Sequence, residues 1–272
     1  MPMEHNETTS LPSERVPALA LNYAPPRRFS RLRRWFRPGP LGFFALILAL
    51  ASAGTWGAWK WRLKADEKAF NERAVIDWAN GAVTFNKPPN AGSLRHLTRL
   101  AGMRWLAFNW SGPADPTVLR TLRGKGLPWA KILEIGEGVD ADGWLKELSR
   151  PDGGLAALTE LSFNGTHVTA AGLKELTRPD SGMKALGRLD LLFTEVTDVG
   201  LKELARPDSG LKTLKLLNVR YTPVTDAALI ELARPDCGLK ALTWLYLSGT
   251  NVTDAGIKAL KKARPGLTIN GK

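Results

Sequence analysis

The chain has 272 residues, of which 44% are apolar and 24% are charged, and this composition is ordinary for a folded protein. A single cysteine excludes a disulfide framework and a cysteine-rich zinc or iron–sulfur site, and three histidines leave little room for histidine-based catalysis. The net charge of +12 is concentrated at the start, because residues 1–64 carry ten Lys or Arg side chains against three Glu. These counts argue against most classes of enzyme.

Residues 1–40 form a basic tail that is rich in proline and arginine. The first 26 of them show no sustained apolar periodicity, so the tail is predicted to be disordered. A basic segment of this kind can neutralise the phosphates of nucleic acid. However, the apolar segment that follows explains the arginines, and the tail lacks the interleaved aromatic side chains of a single-strand binder. No nucleic-acid partner is therefore expected.

Residues 41–59 are predicted to form a single transmembrane helix. These nineteen residues carry no charged side chain, and a helix of this length covers about 28 Å, close to the roughly 30 Å of a bilayer core. Trp35 precedes the segment, and Trp56, Trp59 and Trp61 lie at its end, where an interfacial aromatic belt belongs. The lipid bilayer is therefore expected to be one partner of the chain.

The basic residues on either side of this segment predict its orientation. Six arginines lie between residues 27 and 37, and four basic side chains lie between residues 60 and 68. The excess on the N-terminal side predicts a signal anchor with a cytoplasmic N-terminus. A cleaved signal peptide is the alternative, because Ala51-Ser52-Ala53 matches an A-x-A cleavage site. Both alternatives place the rest of the chain outside the cytoplasm.

A repeat of 28 residues fills the C-terminal half of the chain. Clear copies begin at Leu158, Leu186, Leu214 and Leu242, with degenerate copies at 130–157 and near 102–129, which gives about six repeats. Apolar residues at positions 4 and 6 have the period of a strand, and those at positions 16 and 19 share one helical face. A Thr or Thr-Asp pair is placed to cap the helix, and Arg-Pro is placed to end it.

One strand and one short helix cannot bury a core alone, so the copies must stack. Because strands are spaced by about 4.8 Å and helices by about 10 Å, the stack is expected to curve into a horseshoe with its strands inside. The pattern LxxLxLxxTxVTDxGLKEL resembles the leucine-rich repeat of the ribonuclease-inhibitor-like bacterial type. The resemblance implies an α/β solenoid over residues 92–272. Thr replaces its usual ninth-position Asn, and a ladder of hydroxyl bonds between coils is expected.

Residues 60–91 are predicted to form a juxtamembrane helix and the N-terminal cap of the solenoid. The apolar residues of 63–79 lie on roughly one face of a helix. Asn80-Gly81 is then expected to turn the chain, and Val83-Thr84-Phe85 to add a first strand. At the other end, residues 267–269 occupy the position of a final strand.

The candidate binding residues occupy repeat positions 3, 5 and 7, which face the concave side of a horseshoe. In the last three copies these positions combine aromatic, leucine and arginine side chains, a composition typical of anchors at protein interfaces. The candidate partner-binding residues are Arg188, Asp190, Leu192, Leu216, Asn218, Arg220, Trp244 and Tyr246.

Catalytic and metal-binding patterns are weak throughout the sequence. The DxDG fragment at 140–143 resembles part of a calcium loop, but Ser149 stands where such a loop requires glutamate. His167 has no second histidine in register, and no base is adjacent to Cys237. We therefore expect no enzyme, no cofactor and no small-molecule substrate. The sequence predicts a membrane-anchored protein that binds an unidentified protein through the concave strand face. The alternative is a structural envelope component that self-associates through the solenoid edges.

Overall fold

The structure is a computed structural model that describes residues 61–100, 102–108, 115–124, 126–137 and 139–271. The predicted tail at 1–40 and the predicted transmembrane helix at 41–59 lie outside these residues. Within the described ranges, no helix is both long enough and apolar enough to cross a membrane. The chain divides into two compact units, Met1–Ala53 and Gly54–Lys272, and all described residues belong to the second.

Strands and helices alternate along the described part of the chain. The strands are β1 (Ala74–Asp77), β2 (Ala82–Phe85), β3 (Trp105–Phe108), β4 (Ile132–Ile135), β5 (Glu160–Ser162), β6 (Arg188–Asp190), β7 (Leu216–Asn218), β8 (Trp244–Tyr246) and β9 (Thr268–Asn270). The α-helices are α1 (61–71), α2 (Ala91–Leu97), α3 (Ala141–Leu148), α4 (Ala170–Leu176), α5 (Asp198–Ala205), α6 (Asp226–Ala233) and α7 (Asp254–Ala263). A 3₁₀ helix at Pro116–Leu122 takes the place of the α-helix in the first degenerate repeat.

All these strands join one sheet in chain order, from β1 to β9. β1 and β2 are antiparallel, and every later pair is parallel. The pairing follows the 28-residue period, because Leu189 lies beside Leu161 on one side and Leu217 on the other. Consecutive helices from α3 to α7 also pack against one another. The predicted α/β repeat solenoid is thus confirmed, and its curvature into a horseshoe stays a prediction.

The core lies between the sheet and the helices, and the predicted repeat positions build it. The middle residue of each repeat strand is buried, as at Leu161, Leu189 and Leu217. The leucines three residues apart on each helix are buried as well, as at Leu201 and Leu204 of α5. At roughly 25 cal/mol per Å² of apolar surface, each fully buried leucine favours the stacked form over an isolated repeat.

The N-terminal end differs from the single helix predicted over 63–79. Helix α1 ends at residue 71, and β1 folds back against β2. Val75 and Ile76 are β-branched residues that favour a strand, and the Asp77 carboxylate accepts hydrogen bonds from the backbone of Ala79 and Asn80, which turns the chain. The helical prediction is wrong there because the spacing of a few apolar residues fits both periods.

A buried carboxylate ties α1 to α2. Asp66 of α1 accepts hydrogen bonds from Arg95 at 2.9 Å and from Arg99 at 3.0 Å, while its own side chain is buried. Burial acts to raise the pKa of Asp66, but the two guanidinium groups outweigh it and hold that pKa below its ordinary value. The ion pairs therefore fix the N-terminal helix against the first repeat.

The ninth-position threonines do not form the expected ladder between coils. Thr194 donates its hydroxyl hydrogen bond to the carbonyl of Leu191 at 2.7 Å, within its own repeat, and Thr166 and Thr222 bond in the same way. The prediction is wrong because the short hydroxyl side chain satisfies the carbonyl three residues back in the same turn.

Aspartate side chains link successive coils instead. The Asp198 carboxylate accepts hydrogen bonds from the backbone N–H of Thr225 at 2.8 Å and from its hydroxyl at 2.7 Å. Asp142 and Asp226 bond the corresponding threonines, Thr169 and Thr253, through the same two donors. We call this pair of bonds the Asp–Thr link.

One coil boundary lacks the Asp–Thr link. The residue that corresponds to Asp198 in the repeat that begins at Leu158 is Ala170, which has no carboxylate to offer Thr197. The Thr197 side chain forms no hydrogen bond at its helix cap either. The boundary between the repeats that begin at Leu158 and Leu186 therefore lacks the Asp–Thr link that the other boundaries have.

Candidate binding surface

The strand residues that alternate with the buried leucines point away from the core and form a surface that we call the strand face. In the last three complete repeats the register aligns these residues in rows across the sheet. One row is Arg188, Leu216 and Trp244, and the next is Asp190, Asn218 and Tyr246. The register thus brings six of the eight candidate partner-binding residues side by side on adjacent strands.

An aromatic patch occupies this part of the strand face, and we define it as Leu192, Leu216, Arg220, Trp244 and Tyr246. Trp244 is 47% exposed, and the other four are half-buried. The Arg220 guanidinium carbon lies 4.5 Å from the centre of the Tyr246 ring, within the range of a cation–π contact. The Arg220 Nε is buried without a hydrogen-bond partner. The patch therefore combines an apolar surface with the guanidinium group of Arg220, which the Tyr246 ring holds in place.

Two of the eight candidate partner-binding residues are buried on the strand face and are not exposed to solvent. Asp190 and Asn218 are buried, and the Asn218 side-chain amide donates a 2.8 Å hydrogen bond to Asp190. Arg188 pairs with the same carboxylate at 3.1 Å and is itself exposed. Asp190 and Asn218 are thus too buried to contact a partner directly. They lie beneath the surface beside the aromatic patch, where they are hydrogen-bonded to each other.

The N-terminal half of the strand face combines acidic side chains with the aromatic Trp105. A depression of about 480 Å³ lies over β2, β3 and β4, and Asp77, Trp105 and Glu134 are among its lining residues. Burial raises the pKa of Glu134, and the nearby carboxylates of Asp190 and Glu160 act in the same direction. In the described part of the chain, no group of His, Cys, Asp and Glu side chains has an arrangement that could hold a metal ion.

The comparison with protein families identifies the repeat. Residues 240–261 match the family model described as "Leucine Rich repeat". The matched unit is a leucine-rich repeat. It belongs to the copy that begins at Leu242, whose strand and helix have the same register as those of the preceding copies. This match supports a leucine-rich-repeat protein and indicates no catalytic family.

Solved structures with a similar arrangement come from Listeria monocytogenes. An internalin, InlF, is similar to 68% of this chain at 18% identity with a TM-score of 0.40, and the alignment covers 52% of that protein. InlP is similar to 73% of this chain at 15% identity with a TM-score of 0.41, and again 52% of that protein is covered. The chain thus corresponds to about half the length of each. The comparison with curated proteins gives no match.

The leucine-rich repeats carry two exposed aromatic residues that sequence reasoning missed. Phe193 and Tyr221 occupy position 8 of their repeats, immediately after the strand face, and their rings are 60% and 54% exposed. The sister copies have Gly165 and Gly249 at this position. Replacement of a glycine by an aromatic residue at a fixed repeat position was the signal that could have found them.

His167 and Cys237 have structural surroundings rather than reactive ones. His167 Nδ1 lies 3.3 Å from a carboxylate oxygen of Glu195 in the next leucine-rich repeat, and both side chains are largely exposed. Cys237 is buried in the turn after α6, where its closest polar contact is the Arg264 guanidinium at 4.0 Å. His167 is thus a surface residue in contact with a glutamate, and Cys237 is a buried residue of a turn.

Proposed function

We propose that the chain is a non-catalytic, membrane-anchored leucine-rich-repeat protein that binds another protein through the aromatic patch. The observation that carries this proposal is the exposure of Trp244 beside Leu216 and the Arg220–Tyr246 contact on a sheet whose core is complete without them. Exposed aromatic and arginine side chains on a rigid surface are the residues that most often anchor protein interfaces.

The membrane anchor belongs to the same proposal, with residues 41–59 as the transmembrane helix. The uncharged run, its tryptophan flanks and the arginines before it support this assignment. The repeats then lie outside the cytoplasm and present the strand face there. Protease added to intact cells should remove the repeats and leave the N-terminal tail protected, whereas protection of the repeats would contradict this orientation.

A quantitative capture experiment tests the aromatic patch. The partner is first identified by crosslinking to the full chain, and its affinity is then measured for the parent, for a Trp244→Ala/Tyr246→Ala double variant and for Ile230→Ala. The double variant should weaken binding at least about tenfold, because interface anchors of this size contribute about 2 kcal/mol or more. Ile230 is an exposed apolar residue on α6, away from the patch, so its variant should bind like the parent.

Circular dichroism distinguishes a lost contact from a lost fold. Both patch residues lie on the open side of β8, so the double variant should keep the parent spectrum. Unchanged affinity in the double variant would contradict the assignment of the patch.

Self-association through the ends of the solenoid is the second candidate function. Within the described residues, β1 and β9 pair on one side only, and Val75 and Trp78 are exposed near the β1 end. An unpaired strand edge with apolar side chains is a site for edge-to-edge pairing. Sedimentation of the detergent-solubilised full chain tests this function. Mass that rises with concentration and falls in a Val75→Lys variant would support it, and a concentration-independent monomer would contradict it.

A further inference from the structure

Arg220 carries a positive charge on the strand face that no described residue neutralises. Arg188, on the preceding strand, pairs with Asp190 at 3.1 Å, and Arg234 contacts two carboxylates. Among the residues that the structure describes, Arg220 has no carboxylate partner, and its side chain forms no hydrogen bond. Its charge is therefore available to another group.

The acidic side chain on the neighbouring strand is already engaged by other residues. One oxygen of Asp190 accepts hydrogen bonds from the Asn218 side-chain amide at 2.8 Å and from the Leu192 backbone N–H at 3.2 Å. Its other oxygen accepts from Arg188 at 3.1 Å. Because both oxygens are engaged and the side chain is buried, Asp190 does not neutralise Arg220.

The fold holds the Arg220 guanidinium in place. Its central carbon lies 4.5 Å from the centre of the Tyr246 ring. The backbone is fixed as well, because the Arg220 N–H donates to the Asn218 side-chain oxygen at 3.2 Å and the Arg220 carbonyl accepts from the Phe193 N–H at 3.1 Å. A partner that contacts this guanidinium would therefore immobilise little that is not already ordered.

The buried part of the guanidinium lacks a hydrogen-bond acceptor. The Arg220 Nε is shielded from solvent and has no partner, whereas the two terminal nitrogens are not shielded in this way. A cation that is partly removed from water without a counter-charge makes folding less favourable. An anion that reaches the accessible nitrogens would offset that cost.

We propose that Arg220 binds the carboxylate of an aspartate or glutamate side chain on the partner protein. The planar guanidinium donates parallel hydrogen bonds to the two oxygens of a carboxylate, a geometry that lysine does not offer. Leu192 occupies the corresponding position of the preceding repeat and is half-buried, so the pair would form beside an apolar surface that limits its screening by water. This inference rests on the proposed function and adds to it the chemistry of one partner residue.

Nuclear magnetic resonance of the full chain in detergent tests the proposal, with the peptide acetyl-Leu-Glu-Leu-amide as the probe. The Arg220 Nε–H signal, assigned by its absence in Arg220→Lys, reports binding at this side chain. The glutamate peptide should shift that signal to saturation. It should bind at least about fivefold more tightly than the matched acetyl-Leu-Gln-Leu-amide, because charge-assisted hydrogen bonds are roughly twice as strong as neutral ones. Equal binding of the two peptides would overturn the proposal.

Two variants locate the probe. Arg220→Gln should abolish the preference for glutamate and keep the parent circular dichroism spectrum, because the Arg220 side chain forms no hydrogen bond within the described fold. Arg234→Gln removes an equal charge from a side chain that already contacts carboxylates, so it should keep the preference. A preference that survives Arg220→Gln, or one that is lost in Arg234→Gln, would overturn the proposal.

Capture of the partner distinguishes this inference from the proposed function. Arg220→Gln should weaken capture at least about fivefold through loss of the charge-assisted bonds. Weakened capture in Trp244→Ala/Tyr246→Ala together with unchanged capture in Arg220→Gln would overturn this inference and leave the proposed function intact. Unchanged capture in the double variant would contradict the proposed function, whereas the peptide preference is measured without the partner and would still support a carboxylate site at Arg220.

Discussion

The N-terminal part of the solenoid, up to α3, and the later repeats differ in whether aromatic residues contribute to the core. In the N-terminal part, Phe70, Phe85, Phe108 and Trp144 form a buried chain in which successive ring centres are 4.9 to 5.8 Å apart. In the repeats that begin at Leu186, Leu214 and Leu242, the described core is aliphatic, and aromatic rings stand on the surface. Aromatic residues thus build part of the core in the first region, which also exposes Trp61 and Trp78, whereas the core of these later repeats contains none of their aromatic residues.

The two regions also use charge differently. The N-terminal part contains buried carboxylates, Asp66 and Glu147, each held by arginine. In the regular repeats most arginines pair with partly or fully exposed carboxylates, as at Arg234, which contacts Glu231 and Asp236, and the buried Asp190 is an exception. In the N-terminal part, where the sequence departs from the 28-residue repeat, individual buried ion pairs hold neighbouring elements together. This contrast predicts which substitutions will unfold the chain and which will only change its surface.

The largest expected effect comes from breaking the buried aromatic chain. Phe108→Ala removes the ring between Phe85 and Trp144 and should lower the free energy of unfolding by about 3–5 kcal/mol. The exposed Trp244→Ala should change it by about 0.5 kcal/mol or less. Denaturant titration of the solubilised full chain measures both, and similar losses in the two variants would refute the contrast between the regions.

Removal of the arginine from a buried ion pair should have an intermediate effect. Arg120 donates to Glu147 at 3.0 Å, and Arg120→Ala leaves that buried carboxylate without its partner. We expect the free energy of unfolding to fall at neutral pH by less than in Phe108→Ala and by less than for a fully buried pair, because Arg120 is half-exposed and solvent screens the interaction. The control Arg234→Ala breaks two surface pairs, with Glu231 and Asp236, and should lower the free energy of unfolding less than Arg120→Ala does.

The same variant has a predicted pH dependence. The hydrogen bonds from Arg120 hold the pKa of Glu147 below its ordinary value. The pair therefore stabilises the fold above the unfolded-state pKa of glutamate, and this contribution is lost as the pH falls through the lowered pKa. The difference in stability between the parent and Arg120→Ala should narrow in acid. A difference that widens in acid would contradict this account of the pair.

The smallest expected effect is a gain in the stability of the fold. Ala170→Asp would give Thr197 the Asp–Thr link that other boundaries have, with a carboxylate placed to accept its backbone N–H and hydroxyl. We expect unfolding to become less favourable by about 1 kcal/mol, the typical contribution of a bond of this kind. Ala170→Leu, which adds bulk without an acceptor, is the control, and an equal gain there would show that packing is the cause.

The regular repeats could be predicted almost completely from the sequence. The strand at Leu161 and the helix that contains Leu173 and Leu176 lie where the 28-residue period places them, because each copy repeats the same local signals and the same burial. The N-terminal cap could not be predicted from the sequence. Strand β1 forms because it pairs with β2, and the spacing of apolar residues does not indicate that contact. Glu147 occupies the repeat position of Glu175, Glu203 and Glu231, but its partner Arg120 lies in the 3₁₀ helix that replaces the α-helix, so the period does not predict this ion pair.

The candidate binding site was likewise predictable from the sequence only in part. The row of Arg188, Leu216 and Trp244 follows from register alone. The burial of Asp190 does not, because it depends on how the neighbouring side chains pack. Phe193 is missed when the copies are aligned on their core leucines alone, because position 8, where it replaces the glycine of sister copies, lies outside both those leucines and the strand face.

The missing connection at Thr197 has a mechanical consequence. A force applied to the two ends of the repeats would act on every coil boundary in turn, because each repeat contacts only its neighbours. At the boundary beside Ala170 it would meet the exposed His167–Glu195 contact but no Asp–Thr link. The three later repeats, joined to one another by the Asp–Thr links at Thr225 and Thr253, would resist the same force through those additional bonds.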